Sequence, residues 1–455
     1  MAQKTLKKLL LSLSIATALS CSWSGSVFAD GDEVEALEAR IAELENLVYQ
    51  LMQNQEAQTE AIVATATAVI VEEMAQEAAE AKVTDMLQEH EKAAAEKVHK
   101  HSYKFGGFVK TDVIYSDYSS GSYSGAGRDF YIPGTIPVGD GNGESYLDFH
   151  AKESRINFRS THLLDNGAKI GTFLEMDFQL PAGGNERVSN SFAPRLRHAF
   201  VTYNKWLVGQ TWMTFFNVGA LPENLDFVGP AESTIFGRQP MIRYTNGAWQ
   251  LAAENPETTV TPYGGSGRIV ADDNQLPDLV LRYNLKGDWG SFTAAGMLRE
   301  LAYDNNAGID DKTTGWGISL SGKFVFGNKD DFRWMASTGG GLGRYMGLNT
   351  ANGAVLDADG NLHAIDSSGI FGSYRHLWSD KWRSNLTLGY LSVDNDTDLT
   401  GMGVTKTASS MHVNLIYSPQ PKLDFGMELL LADREIESGA DGDMTRLQFS
   451  AKYAY

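Results

Sequence analysis

The sequence predicts an all-β transmembrane barrel of about 16 antiparallel strands, preceded by an α-helical, coiled-coil N-terminal extension. Three observations carry this reading. Thr445, Leu447, Phe449, Ala451, Tyr453 and Tyr455 alternate with Arg446, Gln448, Ser450, Lys452 and Ala454. A period of two puts one set on each face of a strand, and an aromatic, alternating strand suits a wall with lipid on one side and water on the other. From residue 103 onward, strand-like runs are joined by connections that alternate short and long. Between 30 and 101, by contrast, Gly is absent after Gly31, Pro is absent, and Ala, Glu and Gln dominate, which is a helical composition.

Residues 1–29 read as a secretory signal: Lys4, Lys7 and Lys8, an apolar run from Leu9 to Leu19, and Val27-Phe28-Ala29 for cleavage before Asp30. The run is too short to span a bilayer as a helix. Cys21, the only cysteine, lies inside it and lacks a good lipoprotein context. Once the signal is removed, no thiol remains for disulfides or cysteine metal sites.

Residues 30–101 are expected to form a periplasmic stalk. Val34, Leu37, Ile41, Leu44, Val48 and Leu51 recur at alternating spacings of three and four, an a/d coiled-coil seam. Gln55 and Gln58 then interrupt it, and Ile62 and Val69 return to it. β-Branched residues at a with Leu at d favour a dimer by general packing rules. Arg40-Ile41-Ala42-Glu43-Leu44-Glu45 resembles instead the Arg-apolar-x-x-apolar-Glu motif of trimeric coiled coils. Trimerisation is therefore assigned to Val34, Leu37, Arg40, Ile41, Leu44, Glu45, Val48 and Leu51.

Residues 102–455 are expected to form the barrel domain. Strands are predicted near 103–116, 145–161, 167–179, 194–204, 206–213, 240–246, 248–254, 277–286, 289–302, 313–326, 331–345, 364–376, 381–393, 407–418, 422–435 and 443–455. Short connections such as Asn204-Lys205, Asn246-Gly247 and Lys286-Gly287-Asp288 are turn sequences. Long ones include 117–144, 214–239, 255–276, 346–363 and 394–406. An even strand number brings both ends to the short-turn rim, which faces the periplasm. Leu423, Phe425, Met427, Leu429 and Leu431 share one parity, as do Trp316, Ile318, Leu320 and Phe324; these should face lipid. In the second strand the parity slips between Phe149 and Ile156, so a bulge is expected near Lys152–Ser154.

The opposite parity carries Lys110, Arg155, Arg159, Arg195, Arg197, Arg243, Arg282, Arg299, Lys323, Arg383 and Arg446. Arginine on the lipid face costs ~2–4 kcal/mol at mid-membrane, so these side chains belong in the lumen. There they either form an anion-attracting ladder or pair with Glu175, Asp177, Asp424 and Glu428. The third long connection, 214–239, is expected to fold inward as a constriction loop. Glu223, Asp226, Glu232 and Arg238 are its charged residues, and its acids should oppose the arginine wall. The formal charge is −19 overall, −12 over 30–101 and −10 over the barrel. Acids in the outer loops account for the excess, so local sign in the lumen decides selectivity.

Phe105-Gly106-Gly107-Phe108-Val109-Lys110-Thr111-Asp112 follows the stalk. Glu153-Ser154-Arg155-Ile156, Arg197-His198-Ala199-Phe200 and His412-Val413-Asn414-Leu415-Ile416-Tyr417-Ser418-Pro419 come later. With these segments the chain resembles the DcaP-type trimeric porins of Gram-negative outer membranes over nearly its whole mature length. The resemblance implies a homotrimer of barrels with a periplasmic coiled coil, and uptake of small anionic solutes including dicarboxylates. The expected partners are outer-membrane lipid and lipopolysaccharide, two further copies of the chain and small anions, with no nucleic acid, cofactor or resident metal. An alternative is an envelope tether whose stalk contacts the cell wall or a periplasmic partner. An enzyme is not expected. His150, His162 and His198 are scattered, and Gly121-Ser122-Tyr123-Ser124-Gly125 has no helix behind it. His99 and His101 read as solvated residues or weak metal contacts.

Overall fold

The computed structural model describes Arg40, Glu43, Asn46, Leu47, Gln50 and residues 100–455, apart from 124, 140, 181–183, 186–188, 266 and 328 and the side chains of 184 and 185. The five N-terminal positions are helical and exposed. The signal 1–29 and the seam residues Val34, Leu37, Ile41, Leu44, Glu45, Val48 and Leu51 lie outside the described residues, so the coiled coil is not seen among them. Contacts divide the chain into Met1–Val98 and His99–Tyr455.

The second unit is a closed, antiparallel barrel of 16 strands. In order these are His101–Tyr118, Ser145–His150 continued by Arg155–Leu163, Lys169–Asp177, Arg195–Tyr203, Trp206–Trp212, Arg238–Asn246, Trp249–Glu254 and Asp278–Gly287. The other eight are Gly290–Asp304, Asp310–Phe326, Asp330–Gly340, Asp366–Leu377, Trp382–Asp394, Thr405–Gln420, Leu423–Ile436 and Asp441–Ala454. Each overlaps a predicted strand. The last strand closes on the first, from Phe108 opposite Ala454 to Tyr118 opposite Met444. Closure satisfies every edge, as a membrane requires.

The expected bulge is present. Asp112 pairs with His150, but Phe108 pairs with Arg155, so the second strand carries one extra residue. The slip returns Ile156 to the outer face after Leu147 and Phe149. Here the first strand needs Gly107: its φ is +152°, and a Cβ would lie 2.1 Å from the Arg155 carbonyl oxygen.

Outward residues form the lipid face. Phe425, Met427, Leu429 and Leu431 are exposed, while Glu428 and Leu430 between them are buried. The lumen, however, is not polar throughout. Toward the long-loop rim, inward Val280, Met297, Met335, Phe371, Leu391, Leu430 and Met444 form a hydrophobic core with loop residues Tyr131, Ile136, Phe215, Phe216, Ile235, Leu342 and Tyr345. Thr258–Thr261, Ile269–Ala271, Ala354–Leu356 and Leu362–Ala364 add a four-stranded sheet built from two long connections. Inward apolar residues therefore mark where connections fold back into the barrel and exclude water.

Candidate functional site: the barrel lumen

The connection between Trp206–Trp212 and Arg238–Asn246 runs inside the barrel. Met213 to Asn217 and Val228 to Phe236 are buried. Its path follows from its backbone. With no regular strand to satisfy them, its N–H and C=O groups need partners on the wall. Arg282 donates to the Phe216 carbonyl at 2.6 Å and Arg333 to the Leu221 carbonyl at 2.6 Å. Asn385 and Asn414 donate to the Glu223 carbonyl at 3.0 and 2.9 Å, and Lys110 and Gln448 to that of Leu225 at 2.7 and 3.0 Å.

Glu428 is the densest anchor. It accepts from Asn224 Nδ2 at 3.0 Å, from the backbone N–H of Leu225 and Asp226 at 2.8 and 3.2 Å, and from Asn414 Nδ2 at 2.9 Å. His412 Nδ1 lies 3.1 Å away. Small wall residues let the loop come this close. A Cβ on Gly389 would lie 2.0 Å from Glu232 Oε1, and one on Gly426 2.7 Å from Leu225 Cδ2.

The acids of the loop meet the wall arginines unevenly: Glu223 and Asp226 do, and Glu232 does not. Asp226 turns back on its own chain, accepting from the N–H groups of Tyr131, Val228 and Gly229 at 2.7, 3.1 and 3.2 Å. A tight turn leaves such donors unpaired, and an aspartate satisfies them. Glu232 is fully buried, accepting from Ser410 Oγ at 2.8 Å. Glu223 meets Arg383 at 2.6 Å and Arg375 at 3.6 Å, and Asp226 has Arg446 at 3.8 Å.

What the loop offers the wall is Phe227. The guanidinium carbons of Arg155, Arg195 and Arg197 each lie 5.7 Å from its ring centre. Trp212, packed on Phe236 at 5.2 Å, receives Arg238 at 4.5 Å. Arg159 stands over Phe173 at 5.0 Å. Cationic groups over ring faces are attracted by the ring quadrupole without losing their charge.

The predicted basic residues thus fall into two groups. Lys110 pairs with Glu153 at 2.7 Å, Arg195 with Asp177 at 2.8 Å, Arg197 with Glu175 and Asp177 at 2.8 Å each, and Arg299 with Asp278 at 3.3 Å. Arg383 pairs with Glu223, and Arg446 donates to Ser116 Oγ at 2.8 Å. These brace the wall. Among the described residues, Arg155, Arg159, Arg238, Arg243, Arg282 and Lys323 have no carboxylate within 4.0 Å. Arg243, Arg282 and Lys323, with Lys286, line a cavity of about 990 Å³ that opens at the short-turn rim; among the described residues that line it, Asp288 is the only carboxylate. Two basic stations therefore flank the Trp212–Phe216 shelf.

Arg333 and Arg375 were missed from the sequence, although alternation could have found them. Arg333 is the register partner of Lys323, and Arg375 that of Asp331. The part played by Phe227 carries no local signal, since it depends on three strands converging on one loop.

Residues 29–455 match the DcaP outer membrane protein family. The chain belongs to that family. The family is one of non-catalytic porins, so this is an outer-membrane, porin-type barrel for small-solute diffusion and not an enzyme. The crystal structure of the outer membrane channel DcaP of Acinetobacter baumannii is similar, with 23% identity, a TM-score of 0.66, and 78% of this chain and 97% of that chain covered. Outer-membrane expressed OmpT of Vibrio cholerae aligns at 11% identity and a TM-score of 0.49, covering 79% and 99%. Among curated protein sequences, none matches the chain.

Proposed function

We propose that this porin passes small hydrophilic anions, dicarboxylates among them, by passive diffusion through a homotrimer whose periplasmic coiled coil is 30–101. One observation carries the selectivity: among the described residues, six lumenal basic side chains, Arg155, Arg159, Arg238, Arg243, Arg282 and Lys323, have no carboxylate partner, in a barrel whose net charge is −10. In a narrow, low-dielectric passage such fixed charges focus anions whatever the total charge. The two stations offer successive sites, one among arginine-covered rings, the other in the basic cavity. Glu223, Asp226 and Glu232 belong to the loop that narrows the passage, Glu223 by pairing with wall arginines and Asp226 by shaping the turn that presents Phe227, and Arg238 opens the strand that follows the loop. Val34 to Leu51, with the Arg40–Glu45 motif, hold three chains together.

Reversal potential in a salt gradient across a planar bilayer, with and without a dicarboxylate, tests this. An anion-leaning potential, conductance in steps of three and partial block by the dicarboxylate are expected. A cation-selective current overturns the selectivity. Retention of three-step conductance after deletion of 30–95 removes the trimerising role of the stalk.

A further inference from the structure

The first and second strands meet at the short-turn rim in a pair of histidines that the lumen does not use. His101 and His162 are register partners on adjacent antiparallel strands. They share the outer parity with Tyr103 and Phe158, whose rings stack at 6.1 Å. The pair thus lies just beyond the aromatic belt, toward water. Its Nδ1 atoms are 2.6 Å apart, with ring centres at 4.9 Å and planes at 59°.

Two imidazole lone pairs at that distance repel unless a proton or a cation lies between them. His162 Nε2 is 3.2 Å from Ser160 Oγ. A proton on Nε2 donated to that hydroxyl leaves the Nδ1 lone pair facing His101, and such a hydrogen bond fixes the tautomer and orientation of a ligating histidine. Lys100, the nearest cation along the chain, is ion-paired with Asp165. We propose that His101 and His162 chelate a divalent transition cation, Cu(II) or Ni(II), with water in the remaining positions.

Geometry selects the metal. With metal–nitrogen bonds of ~2.0–2.1 Å, a cis angle near 90° needs the nitrogens about 2.9 Å apart, and a tetrahedral angle about 3.3 Å. The tetragonal arrangement is reached with the smaller opening of the pair, and imidazole affinity also peaks at Cu(II). The ion would staple the end of a ladder whose final backbone bond, Leu163 N–H to the Lys100 carbonyl, is 2.7 Å long.

The test is Cu(II) titration of the full-length protein in detergent at pH 7.5, followed by calorimetry and electron paramagnetic resonance. One strong equivalent per chain with two-nitrogen ligation is expected. His162→Gln and His101→Gln should each weaken that equivalent at least tenfold, while heat-modifiable migration on gels reports an intact barrel. Other histidines, including His99, remain in both variants and set the background. Unchanged stoichiometry and affinity in either variant, a one-nitrogen spectrum, or no strong equivalent in the parent protein would overturn the proposal.

Discussion

Replacing Glu428 by Ala should loosen the lumenal loop without opening the barrel. The carboxylate is 1% exposed and serves three donors of the loop, Asn224 Nδ2, Leu225 N–H and Asp226 N–H. A hydrogen bond to a charged group contributes ~1.5–3 kcal/mol. Water entering the vacated space recovers part of that, leaving a net loss on the order of 3–6 kcal/mol for the seat of 224–226. Even about 3 kcal/mol raises the population of an unseated loop by roughly a hundredfold. The effect stays local, because Arg282 and Arg333 still hold the Phe216 and Leu221 carbonyls. Phe227 is next to the freed segment, so the arginines around it lose their common ring. Single-channel recording should show larger, noisier conductance and a weaker anion preference. Glu428→Gln keeps one acceptor oxygen and should fall between the two. If Glu428→Ala migrates as a folded barrel yet conducts with parental amplitude, noise and selectivity, the anchoring argument is wrong.

Other outcomes follow from the same lumen. The double variant Arg155→Ala/Arg238→Ala removes two cations that have no carboxylate partner among the described residues, and its anion-to-cation permeability ratio should drop several-fold; an unchanged reversal potential would place the selectivity elsewhere. Burial pushes the Glu232 carboxyl up from 4.5 to about 7, against the opposing pull of Ser410 and His412. Between those values the folded chain keeps a proton that the unfolded chain has lost, so this group's contribution to stability falls as pH rises through the window. Glu232→Gln should therefore reduce the difference in thermal unfolding midpoint between pH 5 and pH 8, and an identical difference in both proteins would count against it. Gly389→Ala places a methyl 2.0 Å from Glu232 Oε1 and 2.9 Å from Pro230 Cβ. The loop must shift, at a cost of ~1–3 kcal/mol, and channel conductance should change while heat-modifiable migration is kept.

Membrane strands are legible in a sequence because lipid and lumen impose a period of two. Phe425, Met427, Leu429 and Leu431 had to face outward, and a parity slip placed the bulge before Arg155. The same alternation puts arginine in the lumen, since lipid penalises it. Alternation says which side a residue faces and nothing about what it meets there. Arg195 and Arg155 have the same parity, yet Arg195 is bound to Asp177 while Arg155 lies over Phe108 and Phe227. Asp226 and Glu232 looked like pore acids by loop position alone, but one closes a turn and the other is buried against Ser410. The sequence by itself determined the barrel, its strands and the inward side of its basic residues, because the bilayer reads each strand locally. Only the tertiary structure decided which of those charges are spent on pairing and which still face the passage, because that depends on one loop meeting Glu428, Asn385 and Arg282 from strands far apart in the chain.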